Sequence, residues 1–166
     1  MTTTEPGSTD SRRASWWVPA ELVHALRADL EELVELVGSL SADGLERRSD
    51  HGWSARQVLA HLADFELIAG VRVRMVLSFD RPPLASYAQD ELTDRFADLE
   101  TAAEALERVV VNRRALVRLL ESLGERDWER LGTHPERGEE TLRRTVEMIV
   151  RHDGLHLAQM RVAAGG

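Results

Sequence analysis

The chain has 166 residues, enough for one domain with a full core, and 43% hydrophobic with 30% charged residues is the profile of a globular protein. A formal charge of -8 and a pI near 5.3 argue against nucleic acid and against anionic membrane surfaces as partners. The chain contains neither cysteine nor lysine, which excludes disulfides, thiolate metal ligands, a cysteine nucleophile and Schiff-base chemistry; any reacting thiol must arrive with a second substrate.

A 5% aromatic share beside plentiful Ala, Leu, Val, Glu and Arg favours helices over strands. No window of about 20 apolar residues is present, and no apolar signal core follows Arg12 and Arg13, so a cytoplasmic protein is expected. Residues 1–16, rich in Thr, Ser, Gly and charge, read as a disordered leader, and 17–166 read as one domain. From Pro19, Leu22, Leu26, Leu30, Leu33 and Val37 recur at three and four, predicting a first helix that ends near Gly38. Ser41 to Trp53 has no period and reads as a loop.

Ser54 with Gln57 three residues on forms a capping box that opens a second helix. Its stripe is Val58, Leu62, Phe65, Ala69, Val73 and Val76, and it stops before Pro82-Pro83. Residues 84–98 are expected to connect onward with a short helical stretch. A third helix is predicted from about Glu100 to Ser122 with Gly124 as a left-handed cap, then a loop over Glu125–Gly138. A last helix is predicted from about Glu139 to Ala163. Four long helices without a strand candidate predict an all-α four-helix bundle, with a crossover connection between helices 2 and 3.

Chemistry concentrates on the last helix. His152 and His156 stand at i and i+4, within roughly 40° of each other on one face, where two imidazoles can aim at one ion about 2.0–2.1 Å away. His61 lies about 60° to one side of Val58, also beside an apolar stripe. Three such histidines would cap one divalent ion and leave a position open for water or substrate. A hydrogen-bonded boundary role for each remains open on spacing alone.

Asp153 projects about 20° from Leu142, near the middle of the stripe, and needs a partner there: a ligand histidine to orient, or an arginine such as Arg72 or Arg114. Asp64, three residues after His61, stands at the stripe edge as a support for that histidine or as a solvated charge. His134 could reach a site mouth or pack its own loop. His24 and His51 have no partner at metal spacing, and Trp53 and Trp128 read as packing residues at helix starts.

The run Trp53-Ser54-Ala55-Arg56-Gln57-Val58-Leu59-Ala60-His61-Leu62-Ala63-Asp64, followed downstream by His152-Asp153-Gly154-Leu155-His156-Leu157-Ala158-Gln159-Met160, resembles the DinB-like (DinB/YfiT) metalloenzyme family. The loop with Trp128, His134-Pro135, Gly138 and Thr141-Leu142 is similar to that family as well. The resemblance implies a four-helix bundle, often dimeric, with zinc, nickel or another divalent ion on His61, His152 and His156. It also implies a reaction with a low-molecular-weight thiol of the bacillithiol or mycothiol type, because relatives of known activity transfer or use such thiols. Arg72, Arg74, Arg144 and Arg151 then offer charges for the carboxylates of such a thiol. Metal-dependent hydrolysis, with Asp64, Asp153 or His134 as base, and a non-catalytic small-ligand module are the alternatives.

Overall fold

The computed structural model describes residues 18–48 and 52–163; the expected leader and His51 lie outside them. Four long helices form the bundle: α1 (Pro19–Ser39), α3 (Ala55–Ser78), α5 (Ala102–Glu121) and α7 (Leu142–Ala163). Short helices α2 (Ala42–Glu46), α4 (Gln89–Phe96), with a 3-10 turn at Ala97–Leu99, and α6 (Glu125–Trp128) occupy the connections. α3 begins as its capping box directs: Ser54 Oγ accepts from Gln57 N at 3.3 Å, and Gln57 Oε1 accepts from Ser54 N at 3.0 Å. Thr101 and Glu104 repeat the motif at α5.

α3 packs against α5 and α7, and α1 packs against the same two, so α1 and α3 stand diagonally. One apolar cluster joins Leu22, Leu26, Val73, Val76, Leu116, Leu120, Leu142 and Val146 at one end. A second joins Leu33, Val58, Leu59, Leu62, Ala105, Val109, Leu157 and Met160 at the other. These memberships make α3 parallel to α5 and antiparallel to α7. Residues 79–101 therefore return along α3: Ala85 O accepts from Arg72 near the end of that helix, and Ala97 O accepts from Arg56 near its start.

The structure corrects three expectations. Ser41 to Trp53 is not all loop, because Ser41 Oγ caps the short α2 by accepting from Gly44 N at 3.1 Å. Gly124 has φ -83 and serves as N-cap of α6, not as a left-handed C-cap of α5. The stretch before the last helix contains an antiparallel hairpin, β1 (Leu131–His134) and β2 (Gly138–Thr141), with Leu131 opposite Thr141 and His134 opposite Gly138, so α7 starts at Leu142.

Tertiary contacts hold this hairpin, since four-residue strands carry too little pattern of their own. Gly138 supplies the turn at φ +75, open to glycine without strain. At Gly132 a Cβ would meet Val76 Cγ2 at 2.9 Å, so glycine lets β1 approach α3 closely. Arg130 completes the join by donating to the α3 carbonyl of Val76 at 2.8 Å and to that of Phe79 at 2.9 Å.

Candidate metal centre

The antiparallel pairing of α3 and α7 brings the start of one beside the end of the other. There His61, His152 and His156 meet, each offering a ring nitrogen within 4.8 Å of the others'. His61 is 1% exposed, and its Nε2 stands 2.9 Å from His152 Nε2. His156 closes the set, with ring centroids 4.5 Å from His61 and 4.4 Å from His152.

Each ring is held differently. Gln159, one turn on, accepts a hydrogen bond from His156 Nδ1 at 2.9 Å, leaving the lone pair on Nε2. Phe65 stacks on His152 with centroids 3.7 Å apart, and Trp53 lies 5.2 Å from His61 and 6.5 Å from His156. Trp53 is thus a wall of the site, while Trp128 is a core residue as expected. The Nδ1 atoms of His61 and His152 are buried without a hydrogen-bond partner.

Burial first, then the neighbouring imidazoles, pushes His61 down to about 3. Burial and His152 bring His156 to about 4. Both are therefore neutral at pH 7, the form that binds a metal. Three imidazoles with converging nitrogens, spaced on the order of the roughly 3.3 Å that two bonds of about 2.0–2.1 Å demand at a tetrahedral angle, fit a divalent cation of the zinc or nickel kind.

The carboxylates do not serve this cluster by hydrogen bonds. Asp153 is buried but pairs with Arg113 at 2.7 Å, rather than with Arg72 or Arg114; its other oxygen stands 3.9 Å from His152 Nδ1, beyond hydrogen-bond reach. Arg113 is also bound by Glu66, with Nε donating at 2.9 Å, and donates to Leu26 O at 3.1 Å. Burial opposes the Arg113 charge, yet Asp153 and Glu66 hold its pKa above the ordinary value. Asp64 accepts from Arg108 at 3.0 and 3.1 Å and makes no hydrogen bond to His61.

A cavity of about 220 Å³ opens beside His152, lined by Phe65, Arg72, Tyr87, His134, Arg137 and Met148 among others. Its hairpin wall explains why sequence reasoning left His134 undecided and missed Arg137: without the hairpin, neither has a place. His134 is 4% exposed, and its Nδ1 accepts from Glu136 N at 3.2 Å. Burial, then Arg137, lowers its pKa. Burial raises the Tyr87 phenol to about 12. Of the four arginines expected near the site only Arg72 lines the cavity; Arg74 bonds Gly70 O, and Arg144 bonds Glu147. Gln159 could have been found from its i+3 spacing to His156, whereas Tyr87 carries no local signal.

Fold and site together define a helical-bundle protein with a three-histidine centre, buried at His61 and half-buried at His152 and His156, suited to a divalent ion. The chain belongs to the DinB superfamily, whose family model matches residues 24–160. A Bacillus licheniformis protein named "Putative metal-dependent hydrolase" is 28% identical, with 96% of this chain and 90% of that protein covered. YuaE from Bacillus subtilis is 32% identical over 81% of this chain and 91% of its own length. An Oceanobacillus iheyensis protein, also named "Putative metal-dependent hydrolase", is 29% identical over 66% of this chain, which spans 63% of that relative.

Among solved structures, Bacillus subtilis YfiT, described as a probable metal-dependent hydrolase with an unusual four-helix bundle topology, superposes with a TM-score of 0.83. It is 20% identical, and the match covers 96% of this chain and 91% of that one. A mycothiol-dependent maleylpyruvate isomerase superposes with a TM-score of 0.72 at 12% identity, over 86% of this chain and 60% of that one. At these identities the likeness concerns the fold. No helix among the described residues is long and apolar enough to cross a membrane.

Proposed function

We propose that the chain is a metal-dependent transferase for a low-molecular-weight thiol, holding one divalent ion on His61, His152 and His156. The carrying observation is the convergence of three imidazoles beside a cavity that His152 also lines. When bound, such an ion lowers the pKa of a thiol or water that reaches it. Every other task falls to the chain. Gln159 fixes the His156 tautomer, Phe65 and Trp53 set the ring planes and exclude water, and Tyr87 closes the side toward the cavity.

A thiol suits this site better than water. The carboxylates that could act as bases, Asp64 and Asp153, are held by Arg108 and Arg113. His134, with Nδ1 accepting a backbone N–H, keeps its proton on Nε2 and presents a donor. A free thiol, with a pKa of about 8.5 against about 15.7 for water, needs far less help to ionise. The mycothiol-dependent neighbour of shared fold supports this reading, and the net charge of -8 favours a small-molecule partner over nucleic acid. Hydrolysis is the second reading, favoured by the names of the curated relatives and the description of YfiT.

The test is to titrate bacillithiol and mycothiol into metal-free and cobalt-loaded protein and follow the thiolate-to-metal absorption band. A band that saturates, with conjugation of the thiol to an electrophile such as monochlorobimane, is expected. Metal uptake without thiol affinity, accompanied by ester cleavage, would replace transfer with hydrolysis. Failure to take up metal would leave a helical small-ligand module.

A further inference from the structure

Arg72 and Arg113 are both buried arginines of this bundle, 8% and 3% exposed, but they are compensated differently. Arg113 has two carboxylates. Arg72 donates from Nε at 3.0 Å and from a terminal nitrogen to one uncharged acceptor, Ala85 O, and has no carboxylate hydrogen-bond partner among the described residues. A guanidinium withdrawn from water is ordinarily paired. Burial, and then Arg137 beside it, lowers its pKa, so the surroundings disfavour the charge.

The guanidinium lines the cavity beside His152, its carbon 5.9 Å from the centre of the Tyr87 ring. Arg137 and His134 come from the hairpin to the same cavity. Arg137 is paired with Glu140 at 2.7 and 2.9 Å, and Thr145 donates to Glu140 at 3.0 Å, so that carboxylate is already shared. Glu136 lies exposed at the rim. Arg72 is left without a carboxylate of its own among the described residues: Tyr87 and Glu140 favour its charge, but less than burial and Arg137 oppose it.

We propose that this cavity is a subsite for an anionic group of the substrate, a carboxylate or a phosphate, held by Arg72 with Arg137 and the Nε2–H of His134. A planar guanidinium and converging N–H donors are the usual means of holding such oxyanions. The volume of about 220 Å³ is that of about seven waters at roughly 30 Å³ each, which suits a small organic anion. This deepens the metal-dependent reading and rests on it for the reacting end of the substrate, because His152 lines both the cavity and the histidine cluster.

Succinate and inorganic phosphate, titrated by calorimetry into metal-free and zinc-loaded protein, provide the test, repeated on Arg72→Met and Arg137→Gln with fold checked by circular dichroism and zinc by elemental analysis. One anion is expected to bind the parent once per chain in the millimolar range or tighter, and to weaken about tenfold in Arg72→Met and less in Arg137→Gln, with zinc content unchanged. Saturation by succinate marks a carboxylate subsite and saturation by phosphate a phosphoryl one. Failure of both anions to bind the parent, or equal affinity in parent and variants, overturns the proposal. Anion binding in a protein that retains no zinc keeps the subsite and removes the metal reading; zinc retention without anion binding does the reverse. Should Arg72→Met not fold, Arg137→Gln and His134→Gln carry the same comparison.

Discussion

Two polar clusters meet in this bundle at neighbouring residues of α7, His152 and Asp153, and they are completed differently. Around Asp153, carboxylates of Glu66 and Asp153 surround one guanidinium, and Leu26 O takes a further N–H. That group holds its own cation, although Glu66 Oε2 and Asp153 Oδ1 are left buried without a hydrogen bond. Around His152, three imidazoles converge with two Nδ1 atoms unpartnered and their Nε2 side facing inward. Both clusters bear the desolvation cost of burial and both leave buried atoms unpaired, but the ionic one already surrounds a cation, Arg113, whereas the histidines converge with no cationic side chain among them. Neither burial nor an unpaired atom therefore marks the functional site; convergence of donor atoms with no cationic side chain among them does.

The largest effect separating them should be on stability. Arg113→Ala leaves two buried carboxylates unpaired and is expected to cost about 3–5 kcal/mol in denaturant unfolding at pH 7. Replacing Glu66, Arg113 and Asp153 together by Leu, Met and Leu should leave stability equal to that of the parent or up to about 1–4 kcal/mol above it, while metal is still bound. A loss under about 1 kcal/mol for the single variant would mean that Arg113 does not pair both carboxylates as described.

A smaller effect lies at Asp29, whose carboxyl is raised from 3.8 to about 6 by burial and then by the Asp153 charge, with Arg113 opposing. Because the folded pKa lies above the unfolded one, folding favours the protonated form, and that contribution disappears as pH rises through about 6. Asp29→Asn should therefore gain about 1 kcal/mol at pH 7–8, after allowance for solvent screening, and nothing below about pH 4. A gain independent of pH would contradict the assignment. Gly154 is smaller still: a Cβ there meets nothing within 4 Å, so Gly154→Ala should add about 0.5–1 kcal/mol by helix propensity without changing metal content.

The sequence carried the long helices because each has a periodic apolar face and its start has a local signal, as at Ser54-Gln57 and Pro19. His152 and His156 were legible for the same reason, since i,i+4 spacing is a local fact. The place of His61 beside them depended on the antiparallel packing of α3 and α7, which spacing along the chain does not encode. The hairpin was invisible because its strands are four residues long and are held by Gly132 against Val76 and by Arg130 on the end of α3. With it went the cavity wall of His134 and Arg137. Asp153 was legible as a buried charge, but its partner Arg113 was not, because a one-residue difference from Arg114 is decided by helix rotation in the assembled bundle.

The most direct measurement is the metal content of the protein purified without a histidine tag, beside His61→Ala and His152→Ala, after incubation with zinc or nickel and dialysis. The account predicts about one equivalent per chain in the parent and loss of it in both variants, each still helical by circular dichroism. A parent that retains no metal, or variants that retain as much as the parent, would contradict it.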